Sequence, residues 1–251
     1  MALVDLTDGP AEGVRILTLN DADRRNALSP TLQSELSAAV DAVRDDPTAR
    51  VLVVAGNGPA FSAGADLPAL FGKVDRDIAE IRVGLHAVYE SFLRVRRLAI
   101  PTIAAVHGAA VGAGVNLAMS CDVRIAGPAA RFGVTFTKLG LHPGGGCTYF
   151  LTHALGRQRA LSLILDGGTL DAGEALRLGL VLDVVDDPLV AATERAARWA
   201  AIDPALVKDI KRAVGIAERD DFEATLDFES WAQAASTRSP LLADAIARFT
   251  R

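Results

Sequence analysis

Two segments rich in small residues could present free backbone N–H groups to a ligand. One is the turn at residues 62–66, and the other is residues 112–114, which open a predicted helix. Backbone N–H groups stay unpaired mainly in turns and at helix N-termini, and small side chains let a ligand approach them closely. Two such donors can stabilise an enolate or a tetrahedral oxyanion with fixed dipoles. The residue types alone also allow two tight turns that bind nothing.

Two titratable side chains are candidates for proton transfer. Glu90 lies on a predicted helix, one turn after His86, and His142 precedes the Pro-Gly-Gly-Gly segment at 143–146. A carboxylate or an imidazole can exchange a proton near neutral pH when it is suitably placed. Each also has a purely structural interpretation, since Glu90 fits the polar edge of an amphipathic helix and His142 fits a turn anchor.

The elements that must position these groups alternate between strand and helix. Ser29 is a predicted N-cap with Pro30 at the first helical position, and apolar residues at helical spacing extend that helix to about Arg44. Residues 56–68, GNGPAFSAGADLP, are predicted to be a loop. Predicted strands are Val14–Leu19, Val51–Gly56, IPTIAAVHG, DVRIAG, ARFGV and LDVV. Further predicted helices are 78–92, GAGVNLAMSC, the helix-and-turn segment GGGCTYFLTHALGRQRALSLILDGG, and DAGEALRLGL.

Only helical patterns remain after about Asp187. We therefore expect an α/β core at residues 1–187 and a helical C-terminal region at residues 188–251. A helical tail that follows a complete α/β core is expected to pack on a neighbouring subunit, so the sequence predicts a homo-oligomer.

Composition excludes several classes of protein. The 251 residues carry a net charge of −5 with acidic and basic residues intermixed, which disfavours a nucleic-acid surface. The two cysteines form no C-x-x-C pair, and the histidines lack the spacing of metal ligands, so neither disulfides nor a metal site are expected. No secretory signal and no membrane span are apparent, and the expected location is the cytoplasm.

Four ordered segments resemble the crotonase (enoyl-CoA hydratase/isomerase) family. They are DADRRNALS, FSAGADL at 61–67, AAVHGAAVGAGVNLAMSCDVRIA at 104–126, and ARFGVTFTKLGLHPGGG at 130–146 with the LGRQRA segment that follows. The resemblance implies a crotonase-like ββα superhelix with a C-terminal helical region used for trimerisation. It also implies an acyl-CoA thioester ligand, a trimer or hexamer, and no cofactor beyond the CoA that the substrate carries.

The same resemblance implies roles for individual residues. The backbone N–H groups of Ala65 and Ala113 would form the oxyanion hole. Asp66 is expected to cap a turn, whereas Arg24 and Arg25 are either CoA phosphate contacts or ordinary surface arginines. The full set of expected substrate contacts is Arg24, Arg25, Ala27, Ala63, Asp66, Leu67, Asn116 and Phe136.

The chain departs from the family pattern at two positions. Hydratases of this family place one glutamate three residues after the second oxyanion donor and another four residues after the Phe of the Phe-Gly pair. These positions hold Asn116 and Phe136 here. We therefore expect slow hydration of enoyl-CoA, with Glu90 or His142 as a replacement acid–base group. A non-catalytic acyl-CoA carrier or sensor is the alternative.

A nucleotide-dependent dehydrogenase is a weaker interpretation. The Gly-rich run at 108–114 follows a strand and opens a helix, as a phosphate loop would. It lies in the middle of the chain, however, and neither a Y-x-x-x-K pair nor a strand-ending acidic residue follows it.

Overall fold

Strands and helices alternate through most of the chain. The computed structural model describes residues 2–72, 77–218 and 222–236. The strands are β1 Val4–Asp8, β2 Val14–Leu19, β3 Val51–Gly56, β4 Ala60–Ser62, β5 Thr102–Val106, β6 Ala109–Val111, β7 Val123–Ala126, β8 Arg131–Gly133, β9 Thr169–Asp171 and β10 Asp183–Val184. The α-helices are α1 Pro30–Asp45, α2 Leu67–Phe71, α3 Ile78–Arg96, α4 Ala113–Ser120, α5 Cys147–Leu155, α6 Arg157–Leu165, α7 Ala172–Arg177, α8 Pro188–Ala200, α9 Pro204–Ala217 and α10 Phe222–Ser236. Two 3₁₀ helices lie at Ala22–Arg24 and Phe136–Leu139.

The larger sheet has six strands in the order β1-β2-β3-β5-β7-β10. Only the β1–β2 pair is antiparallel. Residues 51–55 of β3 are all buried, because both faces of the strand are covered. Leu52 and Val54 face the main core, while Val51 and Val53 face the cluster that includes α8. This double covering explains why an unbroken apolar run forms a central strand.

The smaller sheet contains four short strands in the order β4-β6-β8-β9. The chain passes from one sheet to the other and then into a helix three times: β3-β4 before α2 and α3, β5-β6 before α4, and β7-β8 before α5. This repeat confirms the predicted ββα arrangement. The segment predicted to be a loop at residues 56–68 contains the strand β4, which is hard to recognise because three residues are too few to show an alternating pattern.

The helix α1 forms for the reasons that the sequence indicates. Ser29 accepts a hydrogen bond from the Leu32 N–H at 3.3 Å, and Pro30 occupies the first helical position. Leu36 and Val40 continue the buried face of the helix. The helix ends at Asp45, one residue beyond the predicted end.

The boundary predicted after residue 187 needs correction. The compact unit that contains both sheets runs from Met1 to Ala200, so it includes α8. Ala192 and Ala196 of α8 are fully buried against the sheet, and their small side chains let the helix lie close to the strands. The periodicity predicts this helix but not the surface that it covers.

The second unit begins at Ala201 and contains α9 and α10. Within it, Arg212 lies over the ring of Phe228, 4.7 Å from the ring centroid. The role of this second unit in trimerisation stays a prediction. Residues 219–221 and 237–251 of the predicted helical region lie outside the described residues.

Among the residues that the structure describes, no helix has the length and apolar character needed to cross a membrane.

Asn26 joins the turn at 21–28 to the end of β3 and the start of β4. It is fully buried, and its Nδ2 donates to the backbone carbonyls of Asn57, Ala60 and Phe61 at 2.9, 2.9 and 3.2 Å. Its Oδ1 accepts the Asp21 N–H at 2.8 Å. Asn also tolerates the positive φ of 55° at this position better than most residues.

We expect Asn26→Ala to lower the free energy of unfolding by about 2–3 kcal/mol, because it leaves several buried backbone groups unpaired. Asn57→Ala is the matched control, since the Asn57 side chain is exposed and bonds Asn20 at the surface. Urea denaturation of both variants measures the difference. Equal effects of the two substitutions would show that the Asn26 bonds do not hold this turn.

Candidate active site

A cavity of about 360 Å³ lies between the end of β4, the start of α4 and the helix α3. Its wall is mostly apolar. The polar side chains on it are those of Tyr89, Asn116, Thr135 and His142. The remaining lining residues are Ala63, Gly64, Ala65, Leu67, Leu70, Phe71, Ile81, Leu85, Val88, Val111, Gly112, Ala113, Phe136, Leu139, Leu141 and Gly144. No carboxylate therefore belongs to the described wall of the cavity.

The turn after β4 and the start of α4 touch through their glycines. A Cβ atom on Gly64 would lie 2.4 Å from the Val111 carbonyl oxygen and 3.2 Å from the Ala113 nitrogen. A Cβ atom on Gly114 would lie 2.4 Å from the Ser62 carbonyl oxygen. Both contacts are too close for any side chain, so glycine at each position is what allows the two segments to meet.

This contact brings the Ala65 and Ala113 N–H groups to one cavity. Gly112 has a φ of 52° and uses its own N–H to bond the Gly133 carbonyl at 2.9 Å. Ala113 is the first residue of α4, so its N–H has no partner within the helix. Within the described chain, neither the Ala65 nor the Ala113 N–H has a hydrogen-bond acceptor. The helix dipole of α4 adds positive potential at this end.

Phe136 and Asn116 flank this pair of donors. The Phe136 ring contacts the backbone at Gly112, where a Cβ atom would lie 3.6 Å from the ring. Asn116 is 1% exposed, and its Nδ2 donates to the Gly144 carbonyl at 2.8 Å. Neither side chain can exchange a proton near neutral pH, so the wall next to the donors is neutral.

His142 lies on the cavity wall, as one of the two predicted acid–base candidates. Its Nδ1 is 2.7 Å from the Pro143 carbonyl oxygen. A carbonyl oxygen only accepts, so Nδ1 carries the proton of the neutral ring and Nε2 is left as a basic lone pair. The His142 side chain is exposed, and its role as an acid–base group stays a prediction.

Glu90, the other candidate, is not brought to the cavity. Its two carboxylate oxygens bond the Arg97 guanidinium at 2.5 and 2.8 Å, on the outer side of α3. These hydrogen bonds lower the pKa of the Glu90 carboxyl. The prediction of an acid–base role for Glu90 is corrected for this reason, because an exposed, paired carboxylate cannot reach a ligand in the cavity.

The predicted cap is confirmed at Asp66. Its carboxylate accepts the Ala69 N–H at 3.1 Å at the start of α2, and it lies 3.8 Å from the Arg24 guanidinium. Arg24 also pairs with Asp21 at 2.7 Å, and its side chain is half-exposed. Arg25 is exposed and accepts the Ala63 N–H through its backbone carbonyl at 2.8 Å. A phosphate contact by either arginine stays a prediction.

Ala63 and Leu67 line the cavity as expected, whereas Ala27 does not. Ala27 belongs to the turn that Leu28 attaches to Gly64, through a bond of 2.7 Å between the Leu28 N–H and the Gly64 carbonyl. Ala27 therefore lies outside the cavity, in a turn that is hydrogen-bonded to the turn at residues 62–66.

Tyr89 was missed by the sequence interpretation. Burial raises the pKa of the Tyr89 hydroxyl, and the backbone of Gly145 opposes this shift. The available signal was helical spacing, because Tyr89 lies one turn after Leu85 on the face that lines the cavity.

The part of the chain that the structure describes contains no cluster of three or more potential metal ligands.

The comparisons with known proteins agree with this geometry. A model of the enoyl-CoA hydratase/isomerase family matches residues 9–244. A probable enoyl-CoA hydratase of Mycobacterium tuberculosis is 47% identical over 240 residues, which cover 93% of each chain. This chain belongs to the enoyl-CoA hydratase/isomerase family. Its predicted crotonase-like fold is thereby confirmed, together with the structural similarity below.

Other relatives of this family member span almost its whole length. The 1,2-epoxyphenylacetyl-CoA isomerase of Escherichia coli K12 is 34% identical over 247 residues, covering 95% of this chain and 92% of that protein. The crystal structure of an enoyl-CoA hydratase from Bacillus anthracis matches with a TM-score of 0.89 and 30% identity, covering 99% of this chain and 96% of that chain.

Gly64→Ala should destabilise this family member and disrupt the donor pair, because the added Cβ would clash with the Val111 carbonyl. Gly179→Ala is the matched control, since Gly179 also has a positive φ of 77° but nothing lies within 4 Å of its Cβ position. We expect a loss of about 1–2 kcal/mol in the control from backbone strain alone, and a larger loss at Gly64. Thermal denaturation compares them, and equal losses would contradict the close contact.

Proposed function

We propose that the protein is an enzyme of acyl-CoA thioesters that stabilises an enolate or oxyanion between the N–H groups of Ala65 and Ala113. The observation that carries this proposal is the contact of Gly64 with the backbone of Val111 and Ala113, which leaves two free donors on one cavity. Preorganised donors of this kind contribute about 3–4 kcal/mol each to the stabilisation of an oxyanion.

The apolar wall supports an acyl chain as the group that enters the cavity. Phe71, Leu85 and Leu139 offer aliphatic and aromatic surface, and burial of each methylene contributes about 0.8 kcal/mol. The names of the relatives refer to CoA thioesters, which is consistent with this choice. We include in the proposal that the CoA of the substrate is the only coenzyme, and that the protein works as a cytoplasmic trimer or hexamer.

His142 is the proposed acid–base group. Its Nε2 lone pair is available, and the described wall of the cavity holds no carboxylate that could compete for the role. A proton removed from the α-carbon of the thioester would pass to this nitrogen, while the negative charge moves to the thioester oxygen held by the two N–H groups. The same nitrogen can return the proton.

Asn116 and Phe136 make simple hydration the less suitable reaction. Addition of water requires a base for the water and an acid for the α-carbon, and each such group contributes about 10²–10⁴-fold. The resemblance places glutamates at these two positions in hydratases of the family. An isomerisation or another reaction through the enolate requires a single proton-transferring group, which His142 supplies.

Deuterium exchange tests the proposal directly. Butyryl-CoA incubated with the protein in heavy water should gain deuterium at its α-carbon, and His142→Gln should slow this exchange at least 100-fold. His153→Gln is the matched control, because His153 also bonds a backbone carbonyl, that of Tyr149 at 2.9 Å, but lies exposed on α5. Crotonyl-CoA hydration should be far slower than the ordinary enzymatic rate of about 10 s⁻¹.

The possible outcomes separate the alternatives. Binding of butyryl-CoA without exchange would identify a non-catalytic carrier or sensor and contradict the enzymatic proposal. Exchange that survives His142→Gln unchanged would place the acid–base group elsewhere. Absence of binding would contradict the acyl-CoA site itself.

A further inference from the structure

The segment that carries His142 is rich in glycine. Residues 144–146 are all glycines, and Gly145 and Gly146 have positive φ values of 65° and 86°. Glycine has no Cβ to restrict its backbone, so such a segment needs contacts from neighbouring elements to hold one conformation. The His142 ring bonds the Pro143 carbonyl of the same segment at 2.7 Å. The position of the ring therefore depends on the backbone of residues 142–146.

Asn116 holds this segment from α4. Its Nδ2 donates to the Gly144 carbonyl at 2.8 Å, and the same carbonyl accepts the Cys147 N–H at 3.3 Å. Asn116 is 1% exposed, and every residue of α4 is buried, so the donor belongs to an element that is packed on all sides. A Cβ atom on Gly145 would lie 2.9 Å from the Asn116 Nδ2, so a glycine there is what allows this close contact.

The bond to Gly144 requires a donor at position 116. A backbone carbonyl can only accept, and an ionised aspartate or glutamate would place a second acceptor against it. The Oδ1 atom of Asn116 is buried without a hydrogen-bond partner in the described chain, which costs free energy. An apolar side chain of similar size would avoid this cost. Stability alone therefore does not explain an asparagine here, whereas the donated bond does.

We propose that Asn116 is a positioning residue, which fixes the segment 142–146 through the Gly144 carbonyl and so holds the His142 ring at the cavity wall. The position that the resemblance assigns to a catalytic glutamate in hydratases then serves, in this chain, to place an acid–base group on another segment. This inference rests on the proposed function, since it takes His142 as the group that moves the proton.

Asn116→Leu tests this role, because leucine has about the size of asparagine and removes both the donor and the unpaired acceptor. The rate of α-deuterium exchange into hexanoyl-CoA should fall about 10- to 100-fold, as expected when a reacting group is misplaced by about 1 Å. The midpoint of urea denaturation should stay close to that of the wild type, since loss of the Gly144 bond is offset by loss of the unpaired Oδ1.

Ser120→Ala is the matched control. Ser120 lies one turn further along α4 and is also 1% exposed, and its hydroxyl donates to the Asn116 backbone carbonyl at 2.8 Å. This substitution removes a buried side-chain hydrogen bond that stays within α4. It should leave the exchange rate unchanged.

Binding and proton transfer should respond differently to Asn116→Leu. The amide analogue of hexanoyl-CoA, in which NH replaces the thioester sulfur, keeps the carbonyl and prevents turnover. Calorimetry should show that the variant binds this analogue within about twofold of the wild-type affinity, because the substitution removes an interaction that matters only for the reaction. The N–H groups of Ala65 and Ala113 are left in place.

A double-mutant cycle with His142→Gln shows whether the effect passes through His142. If Asn116 acts by placing that ring, adding Asn116→Leu to His142→Gln should not slow the residual exchange further. Equal slowing in both backgrounds would overturn the inference, because it would show that Asn116 acts independently of His142.

The remaining outcomes are equally definite. Exchange that Asn116→Leu leaves unchanged would overturn this inference, with the proposed function left intact. Slower exchange that is accompanied by a matching loss of stability and of analogue binding would overturn it as well, because Asn116 would then support the fold alone. If the wild type catalyses no exchange, the proposed function and this inference fail together.

Discussion

The close approach of two backbone segments at Gly64 determines the rest of the site. The turn after β4 can lie against the start of α4 only because Gly64 and Gly114 have no side chains in the contact. Asn26 fixes β4, the strand that leads into this turn, through bonds to the backbone carbonyls of Asn57, Ala60 and Phe61. The ββα repeat delivers one segment from β4 and the other from β6, and it brings Ala65 and Ala113 to the wall of one cavity.

The proposed chemistry depends on the uncharged side chains that lie next to the two N–H groups. Phe136 and Asn116 carry no charge, and Glu90 is held by Arg97 on the outer side of α3. In an apolar surrounding, the attraction between an oxyanion and two N–H dipoles is stronger than in water, because fewer solvent dipoles compete. Under the proposed function, such a site suits a ligand with developing negative charge, and His142 moves the proton.

Periodic features of the fold could be predicted, and contacts between distant segments could not. The helix α1 could be predicted from its cap at Ser29, and the strand β3 could be predicted from its continuous apolar run. The three-residue strand β4 has too few residues for a pattern. Glu90 was misjudged because its partner Arg97 lies seven residues along the chain, just past the end of α3. Asp66 was interpreted correctly because a cap is a local interaction.

A crystal structure of the protein with the amide analogue of hexanoyl-CoA tests the central claim most directly. The account predicts that the carbonyl oxygen of the analogue lies about 2.7–3.1 Å from the backbone nitrogens of both Ala65 and Ala113. The acyl chain should extend along the wall formed by Leu85 and Phe136. A carbonyl oxygen that contacts only one of these nitrogens, or an acyl chain bound outside the cavity, would contradict the account.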